Sequence, residues 1–211
     1  MKSLQARAQG YVIRFNLAGI PYQEPGFSGI RRRQKSEEDP DVVGIAYLLT
    51  GTEYERLLRS EGGRGGSYIE IDVSVTPLLD LTKEDKEPIQ CKSLQTRNPR
   101  EHPHPFPSNR YITLIRTGAG AHKFPEEYLS YLDDLSFYRI RTFRTEAGRV
   151  LFLGIWLPIV VLIFSLMASA DKLGPGKFAW LRKFQEWTFR QMWRMHDGLF
   201  APVFGRGDIT S

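Results

Sequence analysis

One cysteine, Cys91, in a chain of 211 residues excludes an internal disulfide and any cysteine-rich metal site. None of the asparagines Asn16, Asn98 and Asn109 is followed by x-Ser/Thr with a permitted x, so there is no glycosylation sequon. Both absences suit a reducing, cytosol-facing setting. The opening Met1-Lys2-Ser3-Leu4-Gln5-Ala6-Arg7 lacks the apolar run of a signal peptide, and no N-terminal address is expected. The chain has no Gly-x-Ser-x-Gly elbow, and the glycine cluster Gly62–Gly66 is not followed by Lys-Ser/Thr, which removes the nucleophile elbow and the P-loop. His102 and His104 share a proline-rich stretch, with His122 and His196 remote in sequence, so neither a metal nor a cofactor is expected.

What is present is ordinary for a folded chain: 41% hydrophobic and 25% charged residues. The net charge is +5 and the pI about 9.3. The 29 basic residues, however, are interspersed with 24 acidic ones. The densest run, Arg31-Arg32-Arg33-Gln34-Lys35, is answered at once by Glu37, Glu38 and Asp39. That pattern reads as a solvated loop, and nucleic acid is not an expected partner.

Hydropathy patterning sets the organisation. Tyr11–Phe15 reads as a short strand ending at Asn16, followed by a turn-rich loop through Gly19–Phe27. Val42–Leu49 is apolar enough to predict a strand buried on both faces. Thr52 is a candidate cap for a helix through Glu53–Ser60. Tyr68–Val75 alternates apolar and polar residues and predicts a half-exposed strand, with Ile89–Leu94 as its antiparallel partner across a charged turn at Lys83–Lys86. Arg97–Ser108, with its prolines, must be loop, and helices are expected around Tyr111–Ala119 and after Pro125. This order predicts a small α+β domain, a mixed β-barrel or sheet with short helices, over residues 1–148.

After Arg149 the composition changes. Val150–Ala170 is a run of uncharged, mostly apolar residues long enough to cross a bilayer, and Pro158 is tolerable in such a helix. Residues 149–171 are therefore expected to form a transmembrane helix, with interfacial association and burial in the protein or in a homodimer as the other outcomes. Arginines precede the run and lysines follow it, so the positive-inside count sets no orientation. Residues 172–211 read as a basic, aromatic amphipathic tail suited to a headgroup layer. Arg206-Gly207-Asp208 is too short a motif to imply adhesion.

Among the carboxylates, Glu61 stands out. It lies where a predicted helix meets the glycine cluster, a place that aims a side chain into a cavity while glycines admit a ligand to the backbone. Desolvation there would raise its pKa and suit it to acid–base work, although glutamates near helix ends are ordinarily solvated.

The residues Val43-Gly44-Ile45-Ala46-Tyr47, Glu61-Gly62, Tyr68, Pro107-Ser108-Asn109-Arg110-Tyr111, Gly118-Ala119 and Phe124-Pro125-Glu126-Glu127-Tyr128 stand in one order. That order resembles the γ-glutamylcyclotransferase family, over about 130 residues. The opening Gly10–Asn16, the Gly19–Pro25 stretch and the apolar C-terminal extension are most similar to fungal members, some of which belong to gene clusters for sulfur-bridged diketopiperazine toxins. The resemblance implies that a γ-glutamyl group, from glutathione or a glutathione conjugate, cyclises to 5-oxoproline. It also implies that Glu61 is the catalytic acid–base, and that Gly62, Tyr68 and Tyr111 line the substrate cavity. Packing in the core is the other role open to the two tyrosines.

The family's Tyr-Gly-Ser-Asn strand, which cradles the 5-oxoproline ring, occurs nowhere in the chain. The expectation is either that the gene sequence is incomplete or that the cradle is lost. Two readings follow: an active cyclotransferase at a membrane, or a membrane-tethered binding or scaffolding protein of the same fold.

Overall fold

A computed structural model describes residues 2–61, 66–78, 87–172 and 179–210. Two compact units emerge. The first comprises residues 1–19 and 26–137, and the second residues 20–25 and 138–210.

The first unit is built on a sheet of β1 (Lys2–Ala8), β4 (Val42–Leu48), β5 (Tyr68–Pro77) and β6 (Ile89–Thr96), in the order β4-β1-β5-β6. The pairings of β1 with β4, β1 with β5 and β5 with β6 are antiparallel, which corrects the expected mixed sheet. β1 itself was not expected. Its single alternating stretch, Leu4-Gln5-Ala6-Arg7-Ala8, carries little hydrophobic signal, yet Ala6 and Ala8 are buried between neighbours on both sides. β4 is not buried on both faces: Val43 is buried, whereas Tyr47 and Leu48 are exposed.

One cluster joins Ala6, Ala8, Tyr11, Val73 and Val75, with Ile71 and Cys91 at its edge. A second packs Val43 against Ala119 of α2 (Asn109–Ala121) and against Tyr128 and Leu132 of α3 (Glu126–Asp134). α3 is held at its C-terminus by Arg116, whose guanidinium donates to the carbonyls of Leu132, Asp133 and Leu135 at 2.9, 2.8 and 3.1 Å. That cation meets carbonyls left over at a helix end.

The region read as a strand and a turn-rich loop is one long ribbon, β2 (Tyr11–Ile20) and β3 (Glu24–Arg32). Gly26 is required there, because a Cβ would meet Phe15 O at 2.8 Å and Phe106 O at 3.1 Å. That close approach, with Arg100 N–H donating to Asn16 O at 2.8 Å, anchors the proline-rich loop beside β2.

The second unit holds α4 (Phe143–Lys172), α5 (Ala179–Met195), a π-helical turn His196–Phe200 and α6 (Ala201–Phe204). It also holds most of a short ribbon of β7 (Phe137–Arg139) and β8 (Asp208–Thr210). Phe152 is fully buried, its ring 5.6 Å from Tyr22 and 5.0 Å from Phe200. Thr145 Oγ1 donates to Phe204 O at 3.0 Å, and Tyr22 Oη to Gly205 O at 2.7 Å. Arg206-Gly207-Asp208 is turned to this packing: Arg206 pairs with Asp197 at 2.8 Å, and Gly207 lies where any Cβ would run into the Tyr138 ring.

Candidate active site

α1 (Gly51–Ser60) delivers Glu61. The cap is Thr50 rather than Thr52, and it forms a reciprocal box: Thr50 N–H donates to Glu53 Oε2 at 2.8 Å, and Glu53 N–H to Thr50 Oγ1 at 3.3 Å. The box fixes where the helix starts and thereby where it runs out. Glu61 caps its C-terminus, donating its N–H to Leu57 O at 3.1 Å. Its side chain is exposed, not desolvated as the sequence suggested. Gly62 lies outside the described residues.

Tyr111 is placed by a second cap. Ser108 Oγ accepts from Tyr111 N–H at 3.0 Å, which gives the Pro-Ser-x-x-Tyr pattern a physical meaning: the serine starts α2 and sets the tyrosine on its first turn. The Tyr111 ring meets Phe15 and Phe27 edge-on, at 6.2 and 5.4 Å between centroids. Tyr68 opens β5, opposite Thr96 of β6.

The two tyrosines converge on Ser28 of β3. Tyr68 Oη donates to Ser28 O at 2.9 Å, and Tyr111 Oη lies 2.8 Å from Ser28 Oγ. Burial, first, and then electrostatic coupling to Tyr111 and Glu61 hold the Tyr68 phenol above its ordinary pKa, so it stays protonated at neutral pH. The influence of Glu61 on that phenol ties the carboxylate to the tyrosine pair. Beside them, the buried Thr96 Oγ1 has no hydrogen-bond partner, and a Cβ at Gly29 would approach it to 2.7 Å. A neutral phenol, a serine, a buried hydroxyl and a nearby exposed carboxylate form a setting able to orient a polar substrate and move a proton.

Sequence reasoning missed Ser28, Thr96 and the rings of Phe15 and Phe27. Gly26 and Gly29 break the alternation that would have marked β3 as a strand, so only the pairing of the ribbon could have exposed them. Among the described residues no group of three or more His, Cys, Asp or Glu is arranged to hold a metal ion.

Residues 41–132 match the AIG2-like family and residues 142–203 match the AclK C-terminal domain. The chain is 32% identical to the γ-glutamyl cyclotransferase gliK of Aspergillus fumigatus, over 99% of this chain and 82% of that one. It is 29% identical to the γ-glutamyl cyclotransferase aclK of Aspergillus oryzae, over 94% and 78%. The crystal structure of an uncharacterized human protein superposes with a TM-score of 0.53 at 21% identity, covering 66% of this chain and 76% of that one, a likeness of fold.

Proposed function

The chain belongs to the γ-glutamyl cyclotransferase family and is a cyclotransferase, and on that footing we propose that it releases 5-oxoproline from glutathione or from a glutathione conjugate of a small molecule, with Glu61 as the acid–base. The α-amino nitrogen of the γ-glutamyl group attacks its own γ-carbonyl carbon. Glu61 takes the proton that the nitrogen sheds and returns one to the departing amine as the original amide C–N bond breaks. The products are 5-oxoproline and the free amine, and proton and charge balance without a co-reactant. Ring closure is intramolecular, so the protein's work is to hold geometry and carry the proton.

The observation that carries this reading is the meeting of Tyr68 and Tyr111 on Ser28 within electrostatic reach of Glu61. Gly62 belongs to the same proposal, as the glycine that lets substrate approach the backbone. Desolvation of the exposed Glu61 then falls to the substrate itself. A role in fungal secondary metabolism is proposed from the resemblance to fungal members.

The test is chromatographic detection of 5-oxoproline after incubating the full chain with glutathione and, separately, with an S-alkyl glutathione. Release from either supports the reading, and preference for the conjugate supports the secondary-metabolite role. No release from either substrate, by protein shown to be folded, overturns it and favours the scaffolding alternative.

We also place the enzyme at a membrane, with its catalytic unit on the cytosolic side. Phe143–Ala170 is long and apolar enough to cross a bilayer, and only 17% of its most apolar stretch is buried within the protein. A homodimer covering the same helix is the competing arrangement, and flotation with vesicles against the mass in solution separates the two.

A further inference from the structure

α4 and α5 pack through two matching stripes. On α4 the buried residues are Phe152, Val160 and Ile163, with Trp156 and Met167 half-buried. On α5 they are Leu181, Thr188, Met192 and Trp193. The helices run antiparallel: the Phe164 ring meets Phe189 at 6.4 Å between centroids, and the Phe152 ring meets His196, just past the end of α5, at 5.9 Å. The α5 segment from Phe189 to Met195, about 9 Å of helix, therefore lies beside α4 within the stretch from Phe164 to Phe152, which is about 18 Å long.

That register decides depth. A transmembrane α4 would be centred near Val160, in the middle of the apolar run Val150–Ala170. Arg190 and Arg194, both exposed, would then lie inside the hydrocarbon core, with Glu186 following them and Lys183 at its boundary. Charges there are costly unless they pair or face the interior of a bundle. Arg190, Arg194 and Glu186 are exposed, and a crossing helix would hold them in lipid.

The same surface suits a different placement. Away from its α5 stripe, α4 exposes Val150, Leu151, Ile155, Leu157, Ile159, Val161, Leu162, Phe164 and Leu166. The outer face of α5 interleaves Trp180, Phe184 and Trp187 with Lys183, Arg190 and Arg194. Aromatic and basic residues together are the composition of a headgroup layer. α5 carries four cations, Arg182, Lys183, Arg190 and Arg194, against the single acid Glu186, which selects anionic lipid.

We infer that the α4–α5 pair enters one leaflet in the plane of the membrane, with α4 in the acyl boundary and α5 over it among anionic headgroups. This rests on the membrane reading above and replaces its crossing helix with a monotopic one. Two experiments separate them. In the first, full-length protein is floated with phosphatidylcholine vesicles, with and without phosphatidylserine. Flotation should be favoured by phosphatidylserine, and the pair Arg190→Gln and Arg194→Gln should weaken it by roughly fivefold for each cation removed. In the second, a chain carrying Cys91→Ser and Lys183→Cys is synthesised with microsomes and treated with a membrane-impermeant maleimide. Labelling in intact microsomes should equal labelling after detergent.

Flotation with a cysteine protected until detergent is added means a crossing α4 and overturns the in-plane inference while keeping the membrane reading. Flotation that the two substitutions strengthen does the same. Absence of flotation overturns both, and a dimeric mass in solution would then identify a second copy as the cover.

Discussion

Tyr68 and Tyr111 share one residue, Ser28: the first phenol donates to its backbone oxygen at 2.9 Å and the second lies 2.8 Å from its hydroxyl. Neither tyrosine is near Ser28 in sequence, so the ribbon strand that carries Ser28 sets the spacing of the pair. Tyr68→Phe and Tyr111→Phe should each lower kcat/KM by about 10-fold or more, and Ser28→Ala should produce the smaller part of the Tyr111 effect, because it removes the hydroxyl but leaves the Ser28 N–H, which donates to Tyr111 Oη at 3.4 Å. Steady-state kinetics of 5-oxoproline release check this. Near-normal kinetics in both tyrosine variants would leave the rings a packing role alone.

Glu61→Gln keeps the volume and removes the carboxylate proposed to carry the proton. It should cut 5-oxoproline release by at least about 100-fold with substrate binding retained. Turnover is read with saturating substrate and binding by calorimetry. Because Glu61 is exposed, the folded-state melting temperature should hardly move. Near-normal turnover by Glu61→Gln would refute the assignment.

Arg14 donates to Glu37 and Asp39, both at 2.7 Å, and Arg31 also grips Glu37. The Arg31 guanidinium holds the Glu37 carboxyl well below its ordinary 4.5, and Arg14 holds Asp39 below its ordinary 3.8. Depressed carboxylate pKa values stabilise the fold above the unfolded values, and that stabilisation is lost as pH falls through the folded ones. Stability should therefore drop as pH is lowered below 4.5. Arg14→Gln should flatten the drop, measured by denaturant titration at each pH.

Arg116 satisfies three carbonyls at the end of α3 and lies over the Phe137 ring at 5.5 Å. Arg116→Ala should destabilise the protein by about 1–3 kcal/mol, the cost of leaving acceptors unpaired at a helix end. Arg116→Lys should recover only part, since an ammonium lacks the planar fork. Thermal unfolding followed by circular dichroism measures both.

Gly207 has φ +92°, and a Cβ on it would fall 2.0 Å from the Tyr138 ring. Gly207→Ala should cost about 2 kcal/mol or more, from the strained backbone and the displaced ring together. Arg206→Ala, which removes an exposed pairing, should cost much less. If Gly207→Ala is as stable as the parent in a chemical melt, the packing of this segment is wrong.

What the sequence determined by itself was local. Ser108 before Asn109-Arg110-Tyr111, and the alternation of Tyr68–Val75 against Ile89–Leu94, each encode their structure within a few residues, through a cap or a period of two. The apolar run of α4 is equally legible, because composition alone marks it. β1 and β3 were not legible: Ala6 and Ala8 are buried by their neighbours rather than by their own hydropathy, and Gly26 and Gly29 erase the alternation of the ribbon because backbone and side chains approach them closely. Ser28 and Thr96 join the candidate site for that reason alone. The same holds for α4: hydropathy sees a helix able to cross, and only its antiparallel pairing with α5 shows Arg190 and Arg194 beside its middle, since where a charge lies depends on what its helix packs against.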